Sequence, residues 1–225
     1  MIPPLIVRRA SELGLGLIAI TDHNMTENAG AVMRAAEGSG LTVLPGMELQ
    51  TQEEVHLLCL FETLDQARAW QAVVDDHLPA LQNNDEFFGA QFIVDETGDL
   101  VRQDEQLRLT SAAIPLDEAV DRVHDFGGLP IAAHVDRQAN GLLTILGFVP
   151  PGLPLAALEI SARVPPDEAT RRYPQVAGWP LICSGDAHRL SEMRASTLLT
   201  LASPSLRELA LALSGADDRR VKLLP

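Results

Sequence analysis

Residues 15–24 have the sequence LGLIAITDHN, in which an apolar run suited to a buried strand ends at Asp22 and His23. Similar apolar runs recur along the chain, at 41–49, 55–61, 129–135, 155–161, 180–187 and 196–202. Segments with apolar residues at helical spacing lie between them, at 3–13, 27–38, 64–81, 115–126 and 205–214. Strands that alternate with helices predict an α/β fold with a parallel sheet, either a barrel or an open sheet.

One segment interrupts this alternation. Residues 85–113 are polar and lack a clear helical period, so we expect a small insertion that forms a lid or a subdomain. Within it, Glu96-Thr97-Gly98-Asp99 is a turn signal between two β-rich runs, which predicts a hairpin over 91–101. The length of 225 residues suits a single domain, 1–225, that contains this insertion.

Polar side chains follow the apolar runs where each predicted strand ends. These residues are His23, Glu48, His134, Glu159, Asp186 and His188. The carboxyl ends of parallel strands are where α/β folds build their sites, so we expect these side chains to cluster. His56 is an exception, because it begins its predicted strand instead of ending it.

Ionisable groups gathered in this way need a compensating charge, since burying them unpaired costs several kcal/mol. Divalent metal ions would supply it, and a mixture of imidazole and carboxylate ligands suits zinc, manganese or iron. A carboxylate between histidines would hold two ions close together, and such a pair stabilises the attacking and leaving oxygens of a phosphoryl displacement. The sequence contains neither a P-loop motif nor a Gly-x-Ser-x-Gly elbow, which disfavours those chemistries.

The overall charge is strongly negative. The chain has 17 basic and 31 acidic residues, a formal net charge of −14. A field of that sign repels nucleic acid and anionic membranes, so we expect neither duplex nucleic acid nor a membrane as a partner. Cys59 and Cys183 lie in apolar runs and form no disulfide framework, which predicts a reduced, cytoplasmic protein.

Six pieces of the sequence, taken in order, resemble the PHP family, named for polymerase and histidinol phosphatase. The pieces are ITDHN (20–24), PGMEL (45–49), EVHLLCLF (54–61), IAAHVDR (131–137), LEIS (158–161) and SGDAH (184–188). The pattern is most similar to the stand-alone metal-dependent phosphoesterases of that family. The resemblance implies a distorted (βα)7 barrel with two or three divalent metal ions at the carboxyl ends of its strands.

The resemblance also implies metal ligands. Glu48 would be a bridging carboxylate that completes one metal site with His56 and His134. His23 and His188 would bind a second ion. On this interpretation, the first site has three protein ligands and one open position, as catalytic zinc sites do.

Other matching residues would complete the site or assist the reaction. Asp186 would bind a third ion together with Glu48, and Asp22 would orient the site or handle a proton. Arg137 and Arg189, which lie beside the implied ligands, would clamp a phosphate through their planar guanidinium groups. Glu159 matches a family position near the site, with a structural or supporting role.

The chain departs from the family pattern at its start. The family begins with a strand that contains His-x-His, whereas Met1 here leads directly into the helix expected after that strand. We therefore expect barrel strand one to be missing, as in a sequence that starts at an internal methionine. Two ligands of the Asp186 site would be lost with it. Exposed strand edges would remain, and a homodimer would cover them.

Together these inferences predict a metal-dependent phosphoesterase in which a metal-activated water attacks phosphorus. The expected substrate is a small phosphorylated metabolite or a nucleotide, either a phosphomonoester or a phosphodiester. Two alternatives remain open. One is a catalytically impaired PHP module with a structural or regulatory role, and the other is a metal-dependent amidohydrolase, because amidohydrolases also bind metal through histidines at barrel strand ends.

Overall fold

The computed structural model describes residues 1–224 and shows a mixed α/β fold built on a curled, six-stranded half-barrel sheet. The elements in chain order are α1 (Pro3–Glu12), β1 (Leu17–Ile20), α2 (Glu27–Ala35), β2 (Thr42–Gln50), β3 (His56–Leu60), α3 (Leu64–His77), α4 (Asp85–Phe88), β4 (Gln91–Val94), β5 (Leu100–Asp104), α5 (Leu116–Asp125), β6 (Leu129–Ala132), α6 (Leu142–Leu146), β7 (Ala157–Glu159), α7 (Ala169–Arg172), β8 (Leu181–Ile182), β9 (Thr197–Thr200), α8 (Leu206–Ser214) and β10 (Arg220–Leu223). Short 3-10 turns occur at Pro166–Glu168, Pro174–Val176 and Leu190–Glu192.

The six-stranded sheet has the order β1-β2-β3-β6-β7-β8. Its β1–β2, β6–β7 and β7–β8 pairs are parallel, as the alternation of strands and helices predicts. The β2–β3 and β3–β6 pairs are antiparallel, so the prediction of a wholly parallel sheet is wrong at β3. The physical reason is the short connection between β2 and β3, which is too short for a crossover helix and returns the chain alongside β2.

The reversal of β3 brings His56 to the same edge of the sheet as the other predicted ligands. His56 pairs with Gln50 at the end of β2. On its other side, the Ala133 N–H donates to the His56 carbonyl at 3.1 Å, just before His134. A residue that begins an antiparallel strand lies beside residues that end the neighbouring strands. This explains why His56, although it begins its strand, lies with the predicted ligands that end theirs.

The two faces of the sheet are covered by different elements. Side chains of one face, including Met47 and Leu57, pack with Trp70 and α5 in a large buried cluster. The other face, which includes Leu44 and Ile131, packs against α8. Each large apolar side chain buried in these layers contributes about 1.5–3 kcal/mol. Because strand residues alternate in direction, Glu48 points to the face that contains Leu44 and lies beyond the α8 contact.

The segment at 85–113 contains α4 and an antiparallel β4–β5 hairpin, as the turn signal predicts. It is tied to the rest of the molecule through Asn28 of α2, whose side chain donates to the Phe92 carbonyl at 3.2 Å and accepts from the Val94 N–H at 3.1 Å. Among residues 1–224, no helix is long and apolar enough to cross a membrane. Cys59 is buried in β3, Cys183 is half-buried just beyond β8, and both thiols are free.

Candidate metal centre

Glu48, His56 and His134 form the most compact polar cluster of the predicted site. Glu48 Oε1 lies 2.6 Å from His56 Nδ1 and 3.0 Å from His134 Nε2, and the two nitrogens are 3.3 Å apart. All three side chains are buried, and His134 is only 3% exposed. Zinc–nitrogen bonds of ~2.0–2.1 Å place two ligands of one tetrahedral ion about 3.3 Å apart. The donor set and the spacing of its two nitrogens therefore fit a divalent transition-metal ion.

The second oxygen of Glu48 faces another histidine. Glu48 Oε2 lies 3.9 Å from His23 Nδ1, and ligand atoms of His23, Glu48 and His56 all fall within 4.8 Å of one another. The His23 ring centroid is 5.1 Å from that of His56 and 6.0 Å from that of His188. One carboxylate thus presents its two oxygens to different imidazoles, which is the arrangement of a bridging ligand.

The backbone fixes His23 next to Glu48. Beyond β1, the Asn24 N–H donates to the Glu48 carbonyl at 3.0 Å, and the Glu48 N–H donates to the Asp22 carbonyl at 3.1 Å. Two residues earlier in β2, a Cβ at Gly46 would lie 2.9 Å from the Cys59 carbonyl, so only glycine allows β3 to approach so closely.

Several residues around the cluster adopt left-handed backbone conformations. The φ angles are +48° for Asn24, +27° for His134 and +42° for Asp186. Such conformations cost of order 1–3 kcal/mol each for non-glycine residues and tend to occur at functional sites. At Asn24 the surroundings fix the conformation, because the buried side chain donates to the Arg108 and Thr110 carbonyls at 2.7 Å each. The asparagine of the TDHN motif is therefore a structural residue.

Electrostatics favour a charged carboxylate at the centre of the cluster. Burial alone would raise the pKa of Glu48, but hydrogen bonds with His134 and His56 outweigh it and hold that pKa well below its usual range. Burial also disfavours the charged form of His134, yet its hydrogen bond to Glu48 raises the pKa of the ring. Burial lowers the pKa of His23, with Glu48 opposing the shift. The cluster thus contains an anion that attracts cations.

The remaining predicted ligands lie at the rim of this cluster. Asp186 forms an ion pair with Arg137 and lies 3.9 Å from His188 Nδ1 through its Oδ1 atom. The His188 side chain is exposed, and the backbone N–H of His188 donates to Glu192 Oε2 at 2.8 Å. Arg189 is also exposed and lies outside the lining of the adjacent cavity. The structure therefore brings Arg137 to the site and leaves Arg189 at the surface.

Asp22 and Glu159 are two further predicted site residues that lie next to the cluster. Asp22 Oδ2 accepts a hydrogen bond from Asn28 Nδ2 at 3.0 Å. Burial raises the pKa of this aspartate, although the hydrogen bond from Asn28 opposes the shift. Asn28 therefore links Asp22 to the β4–β5 hairpin. Glu159 ends β7 and is 2% exposed, and burial raises its pKa to about 7 although His134 and Ser184 oppose the shift.

A cavity of about 380 Å³ opens beside these residues. Its lining includes Arg137, Glu159, Asp186 and His188, together with two arginines that the sequence analysis missed, Arg163 and Arg194. Arg163 lies four residues beyond β7, close to the strand end at Glu159 that the sequence analysis marked, so that strand end is a signal that could have found it. Arg194 follows the 3-10 turn at Leu190–Glu192, where the sequence offers no comparable signal.

No family model and no curated protein matches this chain. Solved structures do match its fold. The lesion-specific endonuclease PfuEndoQ from Pyrococcus furiosus superposes with a TM-score of 0.71 at 17% identity, over 98% of this chain and 53% of that one. A protein described as a metal-dependent phosphoesterase from Bifidobacterium adolescentis gives a TM-score of 0.55 at 17% identity, over 93% of this chain and 88% of that one.

An amidohydrolase from Chromobacterium violaceum also matches, with a TM-score of 0.51 at 17% identity, over 82% of this chain and 80% of that one. The chain therefore shares a fold that is used by hydrolases of more than one kind, one of which is described as metal-dependent. It spans about half the length of the endonuclease chain that it matches.

A further match corrects one expectation drawn from composition. The structure of Endonuclease Q with a 27-mer duplex substrate, which has an abasic lesion at the active site, gives a TM-score of 0.70 at 17% identity. That match covers 98% of this chain and 53% of the endonuclease. The exclusion of duplex nucleic acid, based on the net charge of −14, was therefore wrong. The physical reason is that the charges nearest a site, here the arginines of the cavity, set the potential there locally, whatever the sign of the summed charge.

Proposed function

We propose that this chain is a metal-dependent phosphoesterase of the PHP type, which hydrolyses a phosphomonoester or a nucleotide phosphodiester. The observation that supports it most directly is the convergence of two imidazole nitrogens on one oxygen of Glu48, within 3.0 Å, beside a cavity lined by arginines. A site that binds metal next to guanidinium groups suits a substrate with a phosphate group.

The proposed ligands follow from the cluster and its rim. Glu48, His56 and His134 would hold one ion, and His23 with His188 would hold a second. Asp186 would hold a third together with Glu48, so that a complete site contains two or three ions of zinc, manganese or iron. When bound, such ions supply Lewis acidity, which neutralises phosphate charge and activates water.

Other side chains of the chain would position the substrate and move protons. Arg137 lines the cavity and has donors suited to two oxygens of one phosphate. Asp22, whose pKa is raised by burial, retains a proton at a higher pH than an exposed aspartate does. It would hold that proton at Oδ1, because its Oδ2 atom already accepts from Asn28.

A second candidate is the cleavage of a nucleic-acid strand, which the similarity to Endonuclease Q favours. Both activities break a phosphorus–oxygen bond, so the same site serves either one. A third candidate, hydrolysis of an amide, is favoured by the similarity to an amidohydrolase. The cavity arginines argue for phosphate esters over amides, since a neutral amide offers them no anionic partner.

Elemental analysis of the purified protein, combined with a substrate panel, tests the proposal. The panel contains an aryl phosphate, a DNA duplex with one abasic site and an aryl amide. We expect tightly bound transition metal, cleavage of at least one of the two phosphate esters, and loss of that activity with a chelator. Cleavage of the amide alone would show an amidohydrolase, and a metal-free, inactive protein would favour the impaired module.

Substitutions of Glu48 and His134 test whether the cluster is the site of hydrolysis. We expect Glu48→Gln and His134→Ala each to lower the rate by at least about 100-fold, because a lost ligand removes several kcal/mol of charge stabilisation. His124→Ala is the matched control, since His124 is exposed on α5 and its Nε2 atom hydrogen-bonds the Pro154 carbonyl at 2.7 Å, away from the predicted ligands. Normal turnover and full metal content in Glu48→Gln would show that the site is assigned incorrectly.

A further inference from the structure

We propose that Asn140 is a positioning residue for the candidate metal centre, because its backbone carbonyl fixes the start of β3 and thereby the His56 imidazole. The side chain of Asn140 is half-buried, and it is not one of the predicted ligands. This inference rests on the proposed function only for the ion that Glu48, His56 and His134 would hold, and it does not depend on which bond the protein cleaves.

The hydrogen-bond ladder between β3 and β6 changes at the pair that includes His56. The register that pairs Leu57 with Ala132 places Ala133 opposite His56. Opposite residues in an antiparallel ladder exchange two hydrogen bonds or none, and here the Ala133 N–H donates to the His56 carbonyl at 3.1 Å. The His56 N–H completes the pair differently, because it donates to the Asn140 carbonyl, at 3.0 Å.

The reason for this exchange is the turn at His134. Its φ angle of +27° takes the backbone out of the extended conformation directly after Ala133, so β6 does not continue. The chain then loops out and returns with Asn140 beside His56. A single segment, residues 133–140, therefore contains one imidazole of the cluster and holds the backbone of the other at both its N–H and its carbonyl.

The conformation of this loop holds the Asn140 carbonyl in place. Asn140 has a φ angle of +59°, a left-handed conformation that asparagine tolerates better than most residues do. Its side-chain Nδ2 atom donates to the Glu54 carbonyl at 2.8 Å, two residues before His56. At the next position, a Cβ on Gly141 would clash with the Arg137 carbonyl, so the turn is too tight for a side chain there. The backbone carbonyl and the side-chain nitrogen of Asn140 thus both bind the chain that enters β3.

The separation of the two imidazoles depends on this contact. His56 Nδ1 and His134 Nε2 lie 3.3 Å apart, although the two residues come from different segments. Metal–ligand distances in proteins vary by only about 0.2 Å, so a small displacement of the His56 backbone is enough to weaken binding. Residues that orient metal ligands typically change metal affinity about 10- to 100-fold when they are substituted.

Titration of cobalt(II) into the chelator-treated, desalted protein tests this role. Visible absorption reports the geometry of the ligands, and competition with a chelator gives the Kd. Asn140→Ala places a residue that disfavours a positive φ at this position and removes the bond to Glu54. We expect it to raise the Kd for cobalt at least tenfold and to alter the cobalt spectrum. Asn140→Gly also lacks the side chain but accepts the left-handed conformation, so the carbonyl stays beside His56 and the Kd should remain within threefold of wild type.

Asp218→Ala is the matched control for backbone strain. Asp218 has a φ angle of +61°, close to that of Asn140, but it is exposed in the loop between α8 and β10. We expect this control to lower the Tm of the metal-free protein and to leave the Kd and the spectrum of cobalt unchanged. If Asn140→Ala gives the same result, Asn140 only stabilises the fold and the proposal is wrong. Equal increases in Kd for Asn140→Ala and Asn140→Gly would also overturn it, because the effect would then not follow the backbone carbonyl.

Cobalt binding is measured without a substrate, so the positioning role and the proposed function can fail separately. The expected pattern of Kd values in a protein that hydrolyses none of the esters would support the positioning role and overturn the phosphoesterase. Hydrolysis of a phosphate ester, together with a cobalt Kd that Asn140→Ala leaves unchanged, would overturn the positioning role and leave the phosphoesterase standing. A wild-type protein that binds no cobalt would overturn both.

Discussion

Glu159 shows how one buried carboxyl group connects the site to the stability of the fold. Its side chain is 2% exposed at the end of β7, and burial is the main cause that raises its pKa to about 7, with Glu48 and Asp186 acting in the same direction. In the unfolded chain the same group has its ordinary pKa of 4.5. The folded protein therefore keeps a proton on Glu159 over a pH range in which the unfolded chain has lost it.

This difference predicts a pH dependence for the metal-free protein. Below pH 4.5 both states are protonated at Glu159, so its contribution to stability is complete there. Between pH 4.5 and about 7 only the unfolded state releases the proton, and the free energy of unfolding falls. The loss amounts to on the order of 3 kcal/mol by pH 8. Glu159→Gln lacks this titration, so it should gain stability relative to wild type by that amount between pH 4.5 and pH 8.

Urea unfolding of both proteins in a chelator measures this gain. The comparison cancels the groups that titrate far from Glu159, since both proteins share them, and leaves Glu159 together with the neighbours to which it is coupled, such as His134. Parallel stability curves for the two proteins would show that Glu159 is already ionised in the folded state.

At the scale of elements, Arg108 holds the 85–113 segment to the site. Its side chain is 6% exposed, and its Nε atom donates to Asp104 Oδ2 at 2.6 Å. It also pairs with Asp75 of α3 and donates to the Asn24 carbonyl at 3.3 Å. One guanidinium group thus joins the hairpin, a core helix and the loop that contains His23.

Arg108→Ala should destabilise the protein by about 3–5 kcal/mol, because it takes from the buried carboxylate of Asp104 the cation that lies closest to it, at 2.6 Å. Arg34→Ala is the matched control. Arg34 also reaches the hairpin, through Glu96 at 2.9 Å, but both side chains are about half exposed, and such pairs contribute about 0–1 kcal/mol. Chemical unfolding measures both effects, and equal losses in the two variants would mean that Arg108 is not the main anchor.

The elements also show which features of the fold the sequence can predict. Helices such as α3 and α5 follow from apolar periodicity, and β2 and β6 from apolar runs, because both patterns are local. Strand direction is not local, since a strand buried on both faces has the same composition whichever way it runs. The parallel prediction therefore failed at β3, and His56 was proposed as a metal ligand through the family resemblance alone.

A similar limit applies to the site. Residues that end strands, such as Glu48 and His134, could be predicted because topology places them together. The loop residue Arg194 could not be assigned to the cavity, because an exposed loop residue far from a strand end has neither a period nor a register.

For the whole molecule, summed charge proved a poor guide to partners. A net charge of −14 describes the average surface, whereas the cavity contains arginines without carboxylate partners among residues 1–224. Screening limits the reach of distant carboxylates to about 8–10 Å at physiological salt. A molecule in the cavity would therefore experience mainly the groups that line it.

Metal binding should be measurable as stability of the whole fold. An ion that binds only the folded state at 100 times its Kd adds about 2.7 kcal/mol. For a protein of this size, each kcal/mol corresponds to roughly 2–4 °C in Tm. We therefore expect manganese to raise the Tm of the chelator-treated protein by about 5–10 °C. His134→Ala should lose most of this shift, and His124→Ala should keep it. Calcium is the control for the acidic surface, because it prefers oxygen ligands and gains little from imidazoles. An equal shift with calcium, or an undiminished manganese shift in His134→Ala, would place the ion on surface carboxylates and away from Glu48, His56 and His134.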